Sequence, residues 1–190
     1  MSYSLCLLFL LVISISLSAN KQAENKGGNL QMLSDSSIIK NLIHKSNQFS
    51  YNSPDSALPL LQEALLLSRK NNYISIEADI VSKYGGKLYI LGEYDKALDY
   101  FQEALKIYEN INNKKGIAVG FNNIGMIYNI QDRKEMAIAY HKKSISYCYE
   151  MNDSILLSIN LFNLGITYWQ TGIYDTAIIY ANNAITINRL

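Results

Sequence analysis

Residues 85–105, GGKLYILGEYDKALDYFQEAL, set the frame for the whole chain, because they return with small changes at a step of 40. Gly85 is matched by Gly125 and Gly165, and Ala97 by Ala57, Ala137 and Ala177. Ala64, Ala104, Ser144 and Ala184 form a column of small residues, with Leu65, Leu105, Ile145 and Ile185 in the apolar column beside it. Leu60, Tyr100, Tyr140 and Tyr180 keep the same step. No gap is needed to align them. Independent columns that agree on one period mark a repeat architecture, which has to be read before any local motif.

Within one copy, Ala97, Phe101, Ala104 and Leu105 fall at i, i+4, i+7 and i+8, one face of a helix. Ala78, Val81, Gly85, Leu88 and Tyr89 do the same in the preceding segment. Between them Leu91-Gly92-Glu93-Tyr94-Asp95 is a glycine turn with carboxylates near a helix start, where they suit the positive end of the helix dipole. Each copy is therefore a helix, a tight turn and a second helix. Glycine inside a helix costs about 1 kcal/mol relative to alanine. Its return at Gly85, Gly125 and Gly165 predicts a closely crossing partner helix, with Ala97 as the expected opposite residue.

Leu164-Gly165-Ile166-Thr167-Tyr168, followed by Gly172, Tyr174, Asp175 and Ala177, resembles the tetratricopeptide repeat almost letter for letter. The copy before it keeps Ile124-Gly125 and Tyr128 but has Asp132 and Lys134 in place of the turn glycine and its tyrosine. The copy before that keeps Tyr84-Gly85, Leu88, Gly92, Tyr94 and Ala97. The earliest is degenerate, with Lys45 for the helix glycine and Pro54 for the turn tyrosine. The resemblance implies an all-α fold, a right-handed α-solenoid of four stacked helix-turn-helix repeats over residues 38–190, the first degenerate. The expected repeat limits are about 38–77, 78–117, 118–157 and 158–190. A period of 40 against the usual 34 resembles the longer-helix type found in bacterial sensor proteins.

Ahead of the array, residues 1–19 carry an apolar run from Leu5 to Leu17, too short for a typical membrane span and suited to a signal peptide or an N-terminal anchor. Residues 20–37 are polar with a glycine pair and read as a flexible linker. The expectation is an exported chain, periplasmic or attached to the membrane through residues 1–19 and facing outside the cytoplasm. Asn71-Asn72, Asn112-Asn113 and Asn152-Asp153 break the second helix of successive copies, as residues tolerant of left-handed backbone. Arrays of this kind end in a helix with a polar outer face. Here Ile178, Ile179, Ile185 and Ile187 lie on the last helix, so association through that helix is a further expectation.

The chain has 190 residues, 49% of them hydrophobic, and a formal net charge of +1. That charge gives no footprint for nucleic acid, which needs clustered lysine and arginine. His44 and His141 are the only histidines and lie in different copies; His141 occupies the packing column of Phe101. With residues 1–19 removed only Cys148 is left, read as a packed thiol. There is no paired-histidine helix, no CxxC and no phosphate-binding glycine loop. The reading is not an enzyme, with no cofactor and no metal.

What is left is a surface. Stacked helix pairs curve, and first helices line the concave side used for binding. In the resembled family, ligand contacts come from outward positions of those helices, which here are Lys83, Tyr89, Asn122, Asn123, Asn129, Asn163, Trp169 and Gln170. Asn123 and Asn163 share a column in which peptide-binding relatives place an asparagine on the ligand backbone; an amide can both donate and accept there. A clamp for a terminal carboxylate needs several basic residues, and of these only Lys83 falls in the groove. The function expected is a protein- or peptide-binding module, the sensory part of a bacterial signalling protein; the alternative is a stand-alone envelope scaffold or assembly protein.

Overall fold

The computed structural model describes residues 35–49 and 53–187. Eight helices follow one another: α1 (residues 35–48), α2 (Pro54–Lys70), α3 (Ile74–Ile90), α4 (Tyr94–Asn110), α5 (Lys114–Ile130), α6 (Lys134–Met151), α7 (Ser154–Gln170) and α8 (Tyr174–Ile187). Each packs on the next, and the array is a helical solenoid. The signal or anchor expected at 1–19 lies outside the described residues, as does the linker up to 34; residues 35–37 are already helical. The later pairs open at 74, 114 and 154, four residues before the limits expected from the columns, because the recurring apolar positions mark helix faces and not helix starts. Among the described residues no helix is long and apolar enough to cross a membrane.

The connections are built on one plan. From α2 to α8 every turn holds one residue at positive φ: Asn72 (55°), Gly92 (80°), Asn112 (53°), Asp132 (59°), Asn152 (54°) and Gly172 (80°). They stand 20 residues apart. The residue after each donates its N–H to the carbonyl six positions back counted inclusively, as in Tyr73 to Ser68 (2.9 Å), Asn113 to Tyr108 (2.9 Å) and Ile173 to Tyr168 (3.1 Å). The left-handed residue itself donates to a carbonyl one turn back, as in Gly92 to Tyr89 (3.1 Å). This paired pattern is the Schellman closure, which satisfies carbonyls that a helix end leaves orphaned. After two of these turns a side chain starts the next helix: Asn113 accepts from the Gly116 N–H and Asp153 from that of Leu156, both at 3.0 Å. Pro54 opens α2, where its missing N–H is no loss.

Apolar faces meet along the stack in a continuous core. Leu61, Ile80, Val81, Ile124, Ile127 and Leu164 are among its fully buried side chains. The aromatic column read in the sequence pairs with a ring of the preceding helix in each copy. Tyr84 stacks on Tyr100 (centroids 4.6 Å apart), Tyr128 lies against Tyr140 (5.3 Å) and Tyr168 stacks on Tyr180 (5.5 Å). Such ring pairs add about 0.5–1.5 kcal/mol beyond burial.

The glycine column faces a different neighbour from the one expected. A Cβ on Gly85 would stand 2.9 Å from the Phe101 ring, and one on Gly125 2.9 Å from the His141 ring. The opposite residue is thus one helical turn past Ala97 and Ala137. Only at Gly165 does the Ala97 column take part, through the Ala177 carbonyl at 3.2 Å. Glycine here admits an aromatic ring, where a small-to-small crossing was the expectation.

Candidate functional site

First helices touch one another along the array, α3 on α5 and α5 on α7, whereas second helices make no comparable contact. The stack therefore curves with the first helices on the inside, and that inner face is where the candidate residues have to be sought. Two cavities open there. One, of about 540 Å³ between α3 and α5, is lined by Lys83 with Asp79, Ser82, Lys115 and Tyr108. The Tyr108 hydroxyl donates to Asp79 Oδ1 at 2.7 Å, and burial raises the phenol above the ordinary tyrosine range. Lys115 is committed to Asp153 (2.9 Å). This end of the face is a mixed patch of both signs.

The second cavity, of about 230 Å³, lies at the C-terminal ends of the first helices. Tyr89 from α3, Asn129 from α5, and Asn163 and Gln170 from α7 wall it, with Met126, Ile130 and Ile166 between them. Four of the eight residues selected from the sequence meet here. The wall also includes the His141 ring from α6, which is 1% exposed. Desolvation lowers its pKa to about 4, so the ring is neutral near pH 7. Its Nδ1 has no hydrogen-bond partner among the described residues.

The polar side chains around this cavity are held in fixed directions. Lys134, the first residue of α6, donates to the Asn129 backbone carbonyl (2.7 Å), to Asn129 Oδ1 (3.0 Å) and to Gln170 Oε1 (2.8 Å). An ammonium can only donate, so both amide oxygens face it and both NH₂ groups face away. On the other wall Asn163 Nδ2 donates to Asn122 Oδ1 at 3.0 Å. Asn122 is 6% exposed beneath α7, so it ties α5 to α7 and offers no surface to a ligand. Its selection rested on helix phase alone, which does not show that the next copy lies over it.

The other candidates separate from this group. Lys83 lies in the first cavity, and Asn123 is half-buried outside both. Trp169 sits on the end face of the array, 63% exposed, beside Phe162, Ile178 and a cavity of about 220 Å³ floored by Gly165, Ala177 and Ala181. Ala181 stands in the column of Phe101 and His141, so the ring that fills the space in earlier copies is missing. Ile178, Ile179 and Ile185 are exposed, as the sequence implied. Lys134 and His141 were missed as members of the site. The tie from Lys134 to Gln170 spans 36 residues, and no local pattern encodes it.

A family model for the tetratricopeptide repeat matches residues 77–150 and 116–189. The chain belongs to the tetratricopeptide repeat family, a family of protein-binding repeat modules. A curated relative, response regulator aspartate phosphatase E of Bacillus subtilis (strain 168), is 31% identical over 123 residues, covering 62% of this chain and 32% of that protein. Among solved structures, aspartyl phosphate phosphatase F from Bacillus subtilis superposes with a TM-score of 0.73 at 20% identity, over 80% of this chain and 40% of that one. BtubC from P. vanneervenii gives 0.67 at 20% identity, over 80% of this chain and 63% of the other. The chain spans about a third of the length of its curated relative. The structural likenesses establish the tetratricopeptide solenoid.

Proposed function

We propose that this tetratricopeptide repeat protein captures a peptide or protein segment on its inner face and carries out no chemistry on it. The observation that carries this reading is the convergence of Tyr89, Asn129, Asn163 and Gln170 from three successive first helices on one cavity. Side chains fixed on helices present their polar ends with little ordering left to lose on binding, which favours affinity. Among the described residues no group of three or more histidines, cysteines and acidic residues could hold a metal ion. Cys148 is buried, and burial raises its thiol pKa, so it is poorly suited to act as a nucleophile.

The role we assign is the sensory part of a bacterial signalling protein, exported or membrane-attached through residues 1–19. The named relative acts in response-regulator signalling, which supports the signalling context. The exposed end face around Phe162 and Trp169 favours the second reading, an envelope scaffold that assembles through α8. The mass of the chain recovered from its source cells decides whether residues 1–19 are removed.

The double change Asn123→Ala with Asn163→Ala tests the groove. Helicity by circular dichroism should be retained, and capture of a selected peptide should weaken by about tenfold, the scale of one or two lost hydrogen bonds. Unchanged affinity would take both asparagines out of the site.

A further inference from the structure

Resting on the groove reading above, we propose that the cavity at the ends of α3, α5 and α7 is a subsite for a carboxylate of the bound segment, received by the side-chain amides of Asn129 and Gln170 with the Lys134 ammonium behind them. The direction of the two amides decides the ligand class. Lys134 fixes both oxygens toward itself at 3.0 and 2.8 Å, so what remains for a ligand is a pair of N–H donors. A pair of donors backed by a cation is complementary to an anionic acceptor, and a charge-assisted hydrogen bond is about twice as strong as a neutral one.

The charge around the cavity points the same way. The Lys134 side chain is only 16% exposed, so its field is less screened than that of a surface lysine, while its ion-pair partner Asp132 (3.3 Å) is 90% exposed and lies largely in water. No carboxylate is among the residues that wall the cavity. The neutral His141 ring completes the wall, and in its Nδ1–H tautomer it would find in a bound carboxylate the partner that the described residues do not supply. The basic residue thus comes from the start of a second helix, outside the first-helix positions in which basic residues were counted from the sequence. Met126, Ile130 and Ile166 leave apolar wall for the carbon stem of an acidic side chain.

The test uses the full chain and peptides selected against it from a displayed library of random dodecapeptides. In each binder every Asp and Glu is changed in turn to Asn or Gln, and in a separate arm the C-terminal carboxylate is amidated. One of these changes should weaken binding by about tenfold or more; a Glu or Asp swap identifies a side chain as the source, and amidation identifies the chain end. Gln170→Glu, an exposed change that places a like charge at the subsite, should weaken the parent peptide by at least as much and leave the neutralised peptide nearly unaffected. Lys134→Met should reduce the difference between the two peptides. Binders that depend on Asn163 but ignore every carboxylate change would overturn the subsite and leave the groove standing. No binder at all, or binders indifferent to every groove substitution, would overturn the groove and the subsite together.

Discussion

At the residue scale, adjacent glycines in one helix have opposite roles. A Cβ on Gly85 meets the Phe101 ring at 2.9 Å and Tyr100 Cβ at 3.1 Å, whereas one on Gly86 meets nothing within 4 Å. Gly86→Ala should therefore gain the full difference in helix propensity, about 1 kcal/mol. Gly85→Ala gains the same term but overpacks a filled interface, which costs about 1–3 kcal/mol, for a net loss of about 1 kcal/mol. Urea midpoints moving in opposite directions at constant m-value would confirm the contrast, and movement in the same direction would refute it.

His141 gives a second prediction at this scale. Its folded pKa of about 4 lies below the ordinary 6.5, because burial penalises the charged ring. The unfolded chain then binds more protons between these values, so stability present above pH 6.5 is lost as the pH falls through about 4. The gap corresponds to about 3 kcal/mol. His141→Phe, which restores the ring found at Phe101, should flatten that part of the profile. Denaturant midpoints of the two proteins at pH 7 and pH 4.5 check it, with the remaining carboxylates common to both.

At the scale of the element, the turns carry the prediction. Gly92 and Gly172 hold the left-handed position in two connections, while Asn72, Asn112, Asp132 and Asn152 hold it in the others with a Cβ. That conformation costs an L-residue about 1–2 kcal/mol, and a β-branched side chain suffers most. Gly92→Val should lower stability by about 2 kcal/mol, and Asp132→Gly should raise it by less than about 1 kcal/mol, since part of the relief is offset by the entropy of the unfolded chain. Thermal melts of the two variants against the parent decide this. The 40-residue period and the helix-turn-helix unit were legible because buried small and apolar residues recur in register. The 20-residue beat of the turns was in the sequence too, but Asn, Gly and Asp alternate at those positions and share only a backbone property. The positions of Lys134, His141 and Asn122 in the site were not legible, since each depends on which copy lies against which.

For the whole molecule, contacts run almost wholly between neighbours, so stability is a sum over pairs and interfaces and the ends are held on one side only. Trp169, the single tryptophan of the chain, sits on the exposed face of the last pair. Its fluorescence should report unfolding of α7 and α8 at a urea concentration roughly a few tenths molar below the midpoint seen by circular dichroism. Coincident transitions would mean that the array melts as one cooperative unit.

The uniform three-residue turn has a consequence for how such a chain can grow. Because the link inside a pair and the link between pairs have the same length and closure, any window of 40 residues begins and ends at equivalent points of the backbone. A tandem duplication of such a window, wherever it starts, rejoins helix to turn in phase and lays down one more layer without redesigning a connector. Copy number is thus free to change by recombination, and the inner face can lengthen to suit a longer ligand while each existing layer keeps its own contacts.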